Sequence, residues 1–282
     1  MIHNKLTINC KGKLLGLHQP IVMGVLNVTP DSFYDGGQYQ QVDTILRQAE
    51  KMLTEGASII DVGGMSSRPG AEIISEKEEL HRVIPTIEHL AKHFPEAIIS
   101  VDTLRANVAK QAVEAGASIV NDISASSLDA EMYATVAALG VPYVLMHMRG
   151  TPKTMQQNID YQDVTQEVLS FLIQEVGKLR TLGVKDILLD IGFGFGKTVE
   201  QNYELLKKMH LFKMLDLPIL VGISRKSMIY KVLQTSPKDA LNGTSALHIV
   251  ALQQGAKILR VHDVKEAMQV IQLWQQLEKV GA

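Results

Sequence analysis

The 282 residues are 46% hydrophobic, enough apolar side chain for one large core or two small ones, and length alone does not choose between them. Twenty-eight Lys and Arg against 30 Asp and Glu leave a formal charge of -2, which gives no sign of a broad nucleic-acid-binding surface but leaves local basic clusters open. The one cysteine, Cys10, excludes an intrachain disulfide and offers no zinc motif. No apolar run reaches the roughly 18 residues of a membrane helix, and the first residues lack the charged-then-apolar pattern of a leader. A cytoplasmic protein is expected.

Residues 5–17, within an N-terminal segment 1–18, read as a two-stranded β-ribbon turning at Lys11-Gly12-Lys13, a device that often closes one end of a core. An apolar strand over 21–26 leads into the polar loop 27–37. Helical spacing resumes at Val42 and ends at Gly56. A second strand at 57–62 precedes the loop 63–70. A helix over 75–93 starts at Ser75 with Glu78 three residues on, a capping box. Pro85 is expected to bend that helix or split it. A strand at 97–101 ends in Asp102-Thr103, and a helix spans 105–115. A strand at 118–120 ends in Asn121-Asp122, and a short helix spans 129–139. The strand 141–146 ends in His147 and is followed by a long helix at 161–182. The strand 184–190 ends in Asp190 and breaks into a glycine-rich loop, with a helix over 202–214. The strand 218–221 leads to Ser224-Arg-Lys-Ser227, and helical segments cover 227–233 and 242–254. The strand 257–261 ends in His262 before a closing helix over 264–280.

Three helices end in similar phrases, E-G-A-S-I-I, E-A-G-A-S-I-V and Q-Q-G-A-K-I-L, each a glycine cap followed by a buried strand. The strands are short and wholly apolar, as buried parallel strands are. Eight of them alternating with helices point to an α/β chain forming one (β/α)8 TIM barrel over 1–282. An open doubly wound sheet would bring only a few of the polar strand endings to its switch point. In a barrel every strand's carboxyl end opens on one mouth. That gathers Asn27, Asp61, Arg68, Asp102, Asn121, His147, Asp190, Lys226, Arg260 and His262. Singly, each has an ordinary explanation: Asp61 and Asp102 as caps, Asn121 in an Asx turn, His147 as a core histidine, Arg260 and His262 in rim ion pairs. As a set they do not.

Asp102, Asn121 and Asp190 offer acceptors suited to a polar heterocycle with amino and amide N–H groups. Arg260 and His262, two apart on one strand, join Arg68 in a basic cluster, and arginine takes phosphate oxygens in a rigid fork. A phosphate or pyrophosphate is the natural partner. Asn27 with substrate oxygens could hold a hydrated Mg2+, an ion that needs few protein ligands. The loop Gly192-Phe-Gly-Phe-Gly-Lys197-Thr198 lacks the glycine spacing of a Walker motif, so its glycines serve a sharp turn or a close approach.

From end to end the chain resembles the dihydropteroate synthases, pterin-binding TIM-barrel enzymes. The likeness rests on Met23-Gly-Val-Leu-Asn-Val-Thr-Pro-Asp-Ser-Phe33 with Asp35-Gly-Gly37, Ser66-Ser-Arg-Pro-Gly70, Val101-Asp-Thr103, Val120-Asn-Asp-Ile123 and Met146-His-Met-Arg-Gly-Thr-Pro152. It continues through Asp190 with Gly194-Phe-Gly-Lys197, Ser224-Arg-Lys-Ser227, Gly243-Thr244 and Arg260-Val-His-Asp-Val264. The resemblance implies joining of 6-hydroxymethyl-7,8-dihydropterin pyrophosphate to 4-aminobenzoate, giving 7,8-dihydropteroate and pyrophosphate for folate synthesis. It implies that Asp102, Asn121, Asp190 and Lys226 hold the pterin. Asn27, Arg68, Arg260 and His262 would hold the pyrophosphate, Asn27 through Mg2+ as cofactor. Ser67, Phe195 and Ser227 would shape the aminobenzoate site. Asp35 would order the closed state of loops 27–37 and 63–70, and the catalytic set would be Asp35, Arg68, Asp102, Asp190 and Lys226. A homodimer is also implied, compatible with apolar Leu247, Ile249, Val250, Ile271 and Trp274 in the late helices. The chain departs from the family at Met65 (usually Glu), Ser67 (Thr), Ile191 (Pro) and Phe193 (Ile), none of which removes a pterin or phosphate group. The alternative is a pterin-binding barrel that moves a methyl group from a methylated folate; it has no need of the arginine and histidine anion cluster.

Overall fold

The computed structural model describes residues 7–28, 38–65, 70–157 and 159–280. A ribbon of β1 (Thr7–Cys10) and β2 (Lys13–Gly16) precedes eight parallel strands closed into a barrel. These are β3 (Ile21–Asn27), β4 (Ile59–Gly63), β5 (Ile98–Asp102), β6 (Ile119–Asp122), β7 (Tyr143–Met146), β8 (Ile187–Asp190), β9 (Ile219–Val221) and β10 (Ala256–Val261), each beside its successor, with β10 pairing β3. The covering helices are α1 (Gln38–Thr54), α2 (Glu76–His93), α3 (Ala106–Ala115), α4 (Met132–Leu139), α5 (Val164–Thr181), α6 (Val199–Lys207), α7 (Ser227–Tyr230), α8 (Leu241–Gln254) and α9 (Val264–Lys279). Among the described residues no helix is long and apolar enough to cross a membrane. The expected TIM barrel with its N-terminal ribbon is the fold.

Two cores result from the period-two alternation of each strand. Val22, Ile60, Ile99, Val120, Leu145, Leu189, Val221 and Leu259 face outward and pack under the helices. Met23, Ile59, Ile98, Ile119, Val144, Leu188, Leu220 and Ile258 point inward and fill the barrel floor together with Ile8, Cys10 and Leu17 of the ribbon segment. One inward step further along, the floor gives way to polar groups: Asp61 above Ile59, Asn121 above Ile119, Asp190 above Leu188 and Arg260 above Ile258. The ribbon therefore plugs the end opposite the polar mouth. Its turn uses Lys11 (φ 52) and Gly12 (φ 90), the paired positive dihedrals of a tight hairpin, with Asn9 Oδ1 accepting from the Gly12 amide at 2.7 Å. Lys11 Nζ ties it to the Val113 carbonyl at 2.8 Å. Leu17 is fully buried on this floor, so Leu17→Ala should lower unfolding stability by about 2–5 kcal/mol in urea titration. Affinity at the opposite mouth should hold; an unchanged midpoint would remove the ribbon from the core.

Local chemistry refines several expectations. Ser75 Oγ accepts from the Glu78 amide at 3.2 Å, but the Glu78 carboxylate turns to Arg82 Nε at 2.7 Å, so half the expected capping box forms. The full box lies at α6, where Thr198 and Gln201 bond reciprocally. Pro85 does not split its helix: α2 runs unbroken from Glu76 to His93. The segment expected as one helix over 202–214 is α6 followed by a 3-10 turn, Met209–Leu215. Ile191 and Phe193 are fully buried in the outer core, directed away from the barrel interior, which accounts for apolar residues at both positions. Ile271 is likewise interior and presents no surface to a second chain.

Candidate active site

The site is built on the ends of β3 to β10. Asn27, Gly63, Asp102 and Asn121 lie level across four neighbouring strands. Gly63 leaves space between two of them: a Cβ there would lie 3.5 Å from both Asn27 Oδ1 and Asp102 Cβ. On the far side, a Cβ at Gly222 would lie 3.7 Å from Lys226 Nζ and 4.0 Å from both Asp190 Oδ2 and Arg260 Cβ. With Asp61, which bonds Arg260, three carboxylates (Asp61, Asp102 and Asp190) and two cations (Lys226 and Arg260) converge inside the mouth.

Arg260 organises this cluster. Its Nε donates to Asp61 Oδ2 and its Nη2 to Asp102 Oδ2, each at 2.7 Å. Burial works against the guanidinium charge, yet Asp61 and Asp102 outweigh it and raise its pKa above the usual range. Asn121 Nδ2 donates to the same Asp61 oxygen at 3.0 Å, so Asp61 aims both the arginine and the amide. Burial pushes the Asp102 carboxyl up, with Arg260 pulling the other way. Burial also raises Asp190, opposed by Lys226 and by the Gly192 amide, which donates to Asp190 Oδ1 at 2.8 Å. These carboxylates are held at a cost that a hydrogen-bonding cationic ligand would offset.

Lys226 sits just before α7. Its Nζ donates to the Phe193 carbonyl at 2.7 Å and stands 4.5 Å from the centre of the Phe195 ring. Burial lowers its pKa to about 8, against the pull of Asp190. The preceding residue, Arg225, has φ 55 and is clamped to Asp263 by Nε–Oδ2 and Nη2–Oδ1 bonds of 2.7 and 2.8 Å. That fork holds an otherwise unfavourable turn and so aims Lys226 and the half-buried Ser227. His262 Nδ1 lies 3.2 Å from Ser224 Oγ on the exposed rim. Phe195 packs with Leu104, Ile123, Met146 and Met155, and Met65 joins that apolar collar where the resembling family carries a charge.

The structure therefore brings together Asn27, Asp102, Asn121, Asp190, Phe195, Lys226, Ser227, Arg260 and His262. Asp35, Ser67 and Arg68 lie outside the described residues, as do most of the two loops that carry them. His147 does not line the mouth: it is buried, edge-on to Phe171 at 4.9 Å, and burial lowers its pKa to about 2. Sequence reading missed the residues behind the site. Glu79, fully buried in α2, accepts from Thr103 Oγ1 at 2.6 Å and from Arg105, pinning the chain just past Asp102. Asp122 accepts from Ser124, Ser126 and Tyr143 and closes the turn after Asn121. Asp122 carried a signal, an acid directly after Asn121; Glu79 sits in an ordinary helical phrase and had none.

Residues 23–262 match the family described as pterin binding enzyme. A dihydropteroate synthase of Haemophilus influenzae is 45% identical over 265 residues, 93% of this chain and 96% of that protein. The crystal structure of the Yersinia pestis dihydropteroate synthase in a sulfonamide drug complex superposes with a TM-score of 0.91 at 41% identity, over 97% of this chain and all of that one. A Xanthomonas albilineans dihydropteroate synthase with 4-aminobenzoic acid gives 0.91 at 39% identity, over 98% and 99%.

Proposed function

The chain belongs to the dihydropteroate synthase family of pterin-binding enzymes, and on that premise we propose that it condenses 6-hydroxymethyl-7,8-dihydropterin pyrophosphate with 4-aminobenzoate. The observation that carries this reading is the inward cluster of Asp102, Asn121 and Asp190 beside Lys226 and Arg260 at the carboxyl ends of the barrel strands. Asp102, Asn121 and Asp190 take the pterin's amino and ring N–H groups. Arg260 and His262 face the pyrophosphate, joined by Arg68 from the second loop.

The reaction breaks the C–O bond between the exocyclic methylene and the pyrophosphate, which leaves with the electron pair. Positive charge developing on the methylene spreads into the electron-rich dihydropterin, and the Asp102 and Asp190 carboxylates stabilise it. The aminobenzoate nitrogen, unprotonated at neutral pH, then forms the C–N bond and releases a proton, so no strong base is required. Phe195 and the Lys226 stem flank the aromatic amine, with Ser227 toward its carboxylate, and Ser67 of the second loop is assigned to the same subsite by the family pattern alone. If the loops carrying Asp35 and Arg68 close as the family pattern implies, they would keep water from the cation. Asn27 would offer one amide oxygen to Mg2+, and a single neutral protein ligand fits an ion carried chiefly by phosphate oxygens and water. When bound, that ion neutralises charge on the leaving pyrophosphate. A homodimer is proposed; exposed Leu273 and Leu277 on α9 support it, and sedimentation velocity decides it.

Incubation with dihydropterin pyrophosphate, 4-aminobenzoate and Mg2+ should yield dihydropteroate and pyrophosphate in equal amounts, and chelation should depress both. A folded protein that forms no dihydropteroate overturns the reading. Turnover of a methylated folate instead would favour the methyl-transfer alternative.

A further inference from the structure

Lys197 is a buried cation that the reaction above does not use. Lysine is almost never fully buried unless paired, yet this one is 2% exposed and, among the described residues, donates to no carboxylate. Its Nζ lies 2.7 Å from the Gly192 carbonyl, 3.1 Å from the Phe195 carbonyl, 3.0 Å from His147 Nδ1 and 3.3 Å from the His147 carbonyl. Three ammonium protons thus meet four acceptors, two on the 192–196 loop and two on the end of the neighbouring strand. Burial lowers the Lys197 pKa well below the usual range, and Asp190 opposes the shift.

The contact demands close approach. Gly192 has φ +75, and a Cβ there would stand 1.8 Å from the His147 carbonyl oxygen, so only glycine lets the two chain segments meet around the amine. The same loop presents two groups to the site: the Phe195 ring, and the Phe193 carbonyl that receives Lys226 Nζ. From the other side Asn202 Oδ1 accepts from the Gly194 amide at 2.7 Å. The loop is therefore pinned by Lys197 beneath and Asn202 behind, while neither pin faces the mouth.

We propose that Lys197 is a positioning residue for the aromatic-amine side of the site, its Nζ fixing the loop that aims the Phe195 ring and the carbonyl partner of Lys226. The inference rests on the condensation proposed above. Loss of the amine leaves the glycine backbone free to relax and Phe195 to swing; of the pterin groups, Asp102 and Asn121 stand on other strands, while Asp190 and Lys226 keep their own positions and lose only one loop partner each.

Lys197→Met keeps the side-chain bulk and removes the donors. We expect its KM for 4-aminobenzoate to rise at least tenfold, with affinity for dihydropterin pyrophosphate falling several-fold less by titration, because only Asp190 and Lys226 of the pterin groups touch the loop. Amide exchange over 192–196 should quicken more than exchange in the remaining strands. Asn202→Ala, which loosens the loop from behind, should raise the same KM. A purely stabilising lysine would lower the melting point and move both substrates alike, and that result overturns the proposal. So does an unchanged aminobenzoate KM in either variant, Asn202→Ala deciding if Lys197→Met does not fold. Absence of dihydropteroate from wild type refutes the underlying reaction instead; amide exchange over 192–196 then still decides whether Lys197 holds the loop, and unchanged exchange overturns it.

Discussion

Lys226→Ala should lower kcat/KM by about 10²–10³, the cost of removing one preorganised charged donor from a water-poor site, ~3–4 kcal/mol. The lysine stands where every part of the site meets, with Nζ on the Phe193 carbonyl, over the Phe195 ring and beside the Asp190 carboxylate. Its removal leaves Asp190, already raised by burial, without the cation that most opposes that shift, so the acid protonates more readily and stabilises the pterin cation less. Lys226→Met separates two contributions: the stem that flanks the aminobenzoate stays and the ammonium goes. The aminobenzoate KM should change less in Lys226→Met than in Lys226→Ala, while kcat should fall in both. The pH profile supplies an independent check. Burial lowers the Lys226 pKa to about 8, so the free enzyme carries the cation below that pH and loses it above. Wild-type kcat/KM should fall on the alkaline side of about pH 8, and the Met variant should lack that limb. Kinetics within threefold of wild type in both variants would show that Lys226 takes no part in the chemistry.

Asp61→Ala should be among the most destabilising single changes inside the barrel, about 3–5 kcal/mol. One oxygen of this fully buried carboxylate receives both Arg260 Nε and Asn121 Nδ2. Truncation leaves the Arg260 cation with Asp102 alone and the Asn121 amide unpaired in a low-dielectric interior. Asp61→Asn keeps volume and one acceptor and should cost less. Urea midpoints measure the loss, and a double-mutant cycle with Arg260→Met isolates the pair. Coupling near zero, or a midpoint unmoved by Asp61→Ala, would mean that Asp61 does not hold the arginine. Activity should fall with stability, because Arg260 and Asn121 both lose their aim.

The two outcomes depend on residues that differ in how legible they are from sequence. Lys226 lies in Ser224-Arg-Lys-Ser227, a phrase whose resemblance already assigns it a role. Asp61 reads as an ordinary cap at the end of an apolar strand. Its importance arises because Arg260, 199 positions away, reaches it across the closed barrel. Lys197 illustrates the same limit: beside Thr198 it looks like the tail of a nucleotide loop, yet the amine turns under the glycines and the hydroxyl caps α6.

Local pattern determined the elements of this protein. Apolar runs of strand length, glycines past helix ends and the eightfold alternation specify a parallel barrel, because backbone geometry and burial act over a few residues at a time. The same pattern placed Asn27, Asp102, Asn121, Asp190 and Arg260 on the inward face at the carboxyl ends, since alternation is a property of a single strand. Tertiary structure decided which of those groups hold one another. Closure of β10 on β3 and the level register of β3 to β6 set the Asp61–Arg260–Asp102 bridge, the packing of α2 set Glu79 behind Asp102, and the approach of Gly192 to His147 set the seat of Lys197. Such contacts join residues distant in the chain, and charge pairing in a buried site depends on distances that no local spacing encodes.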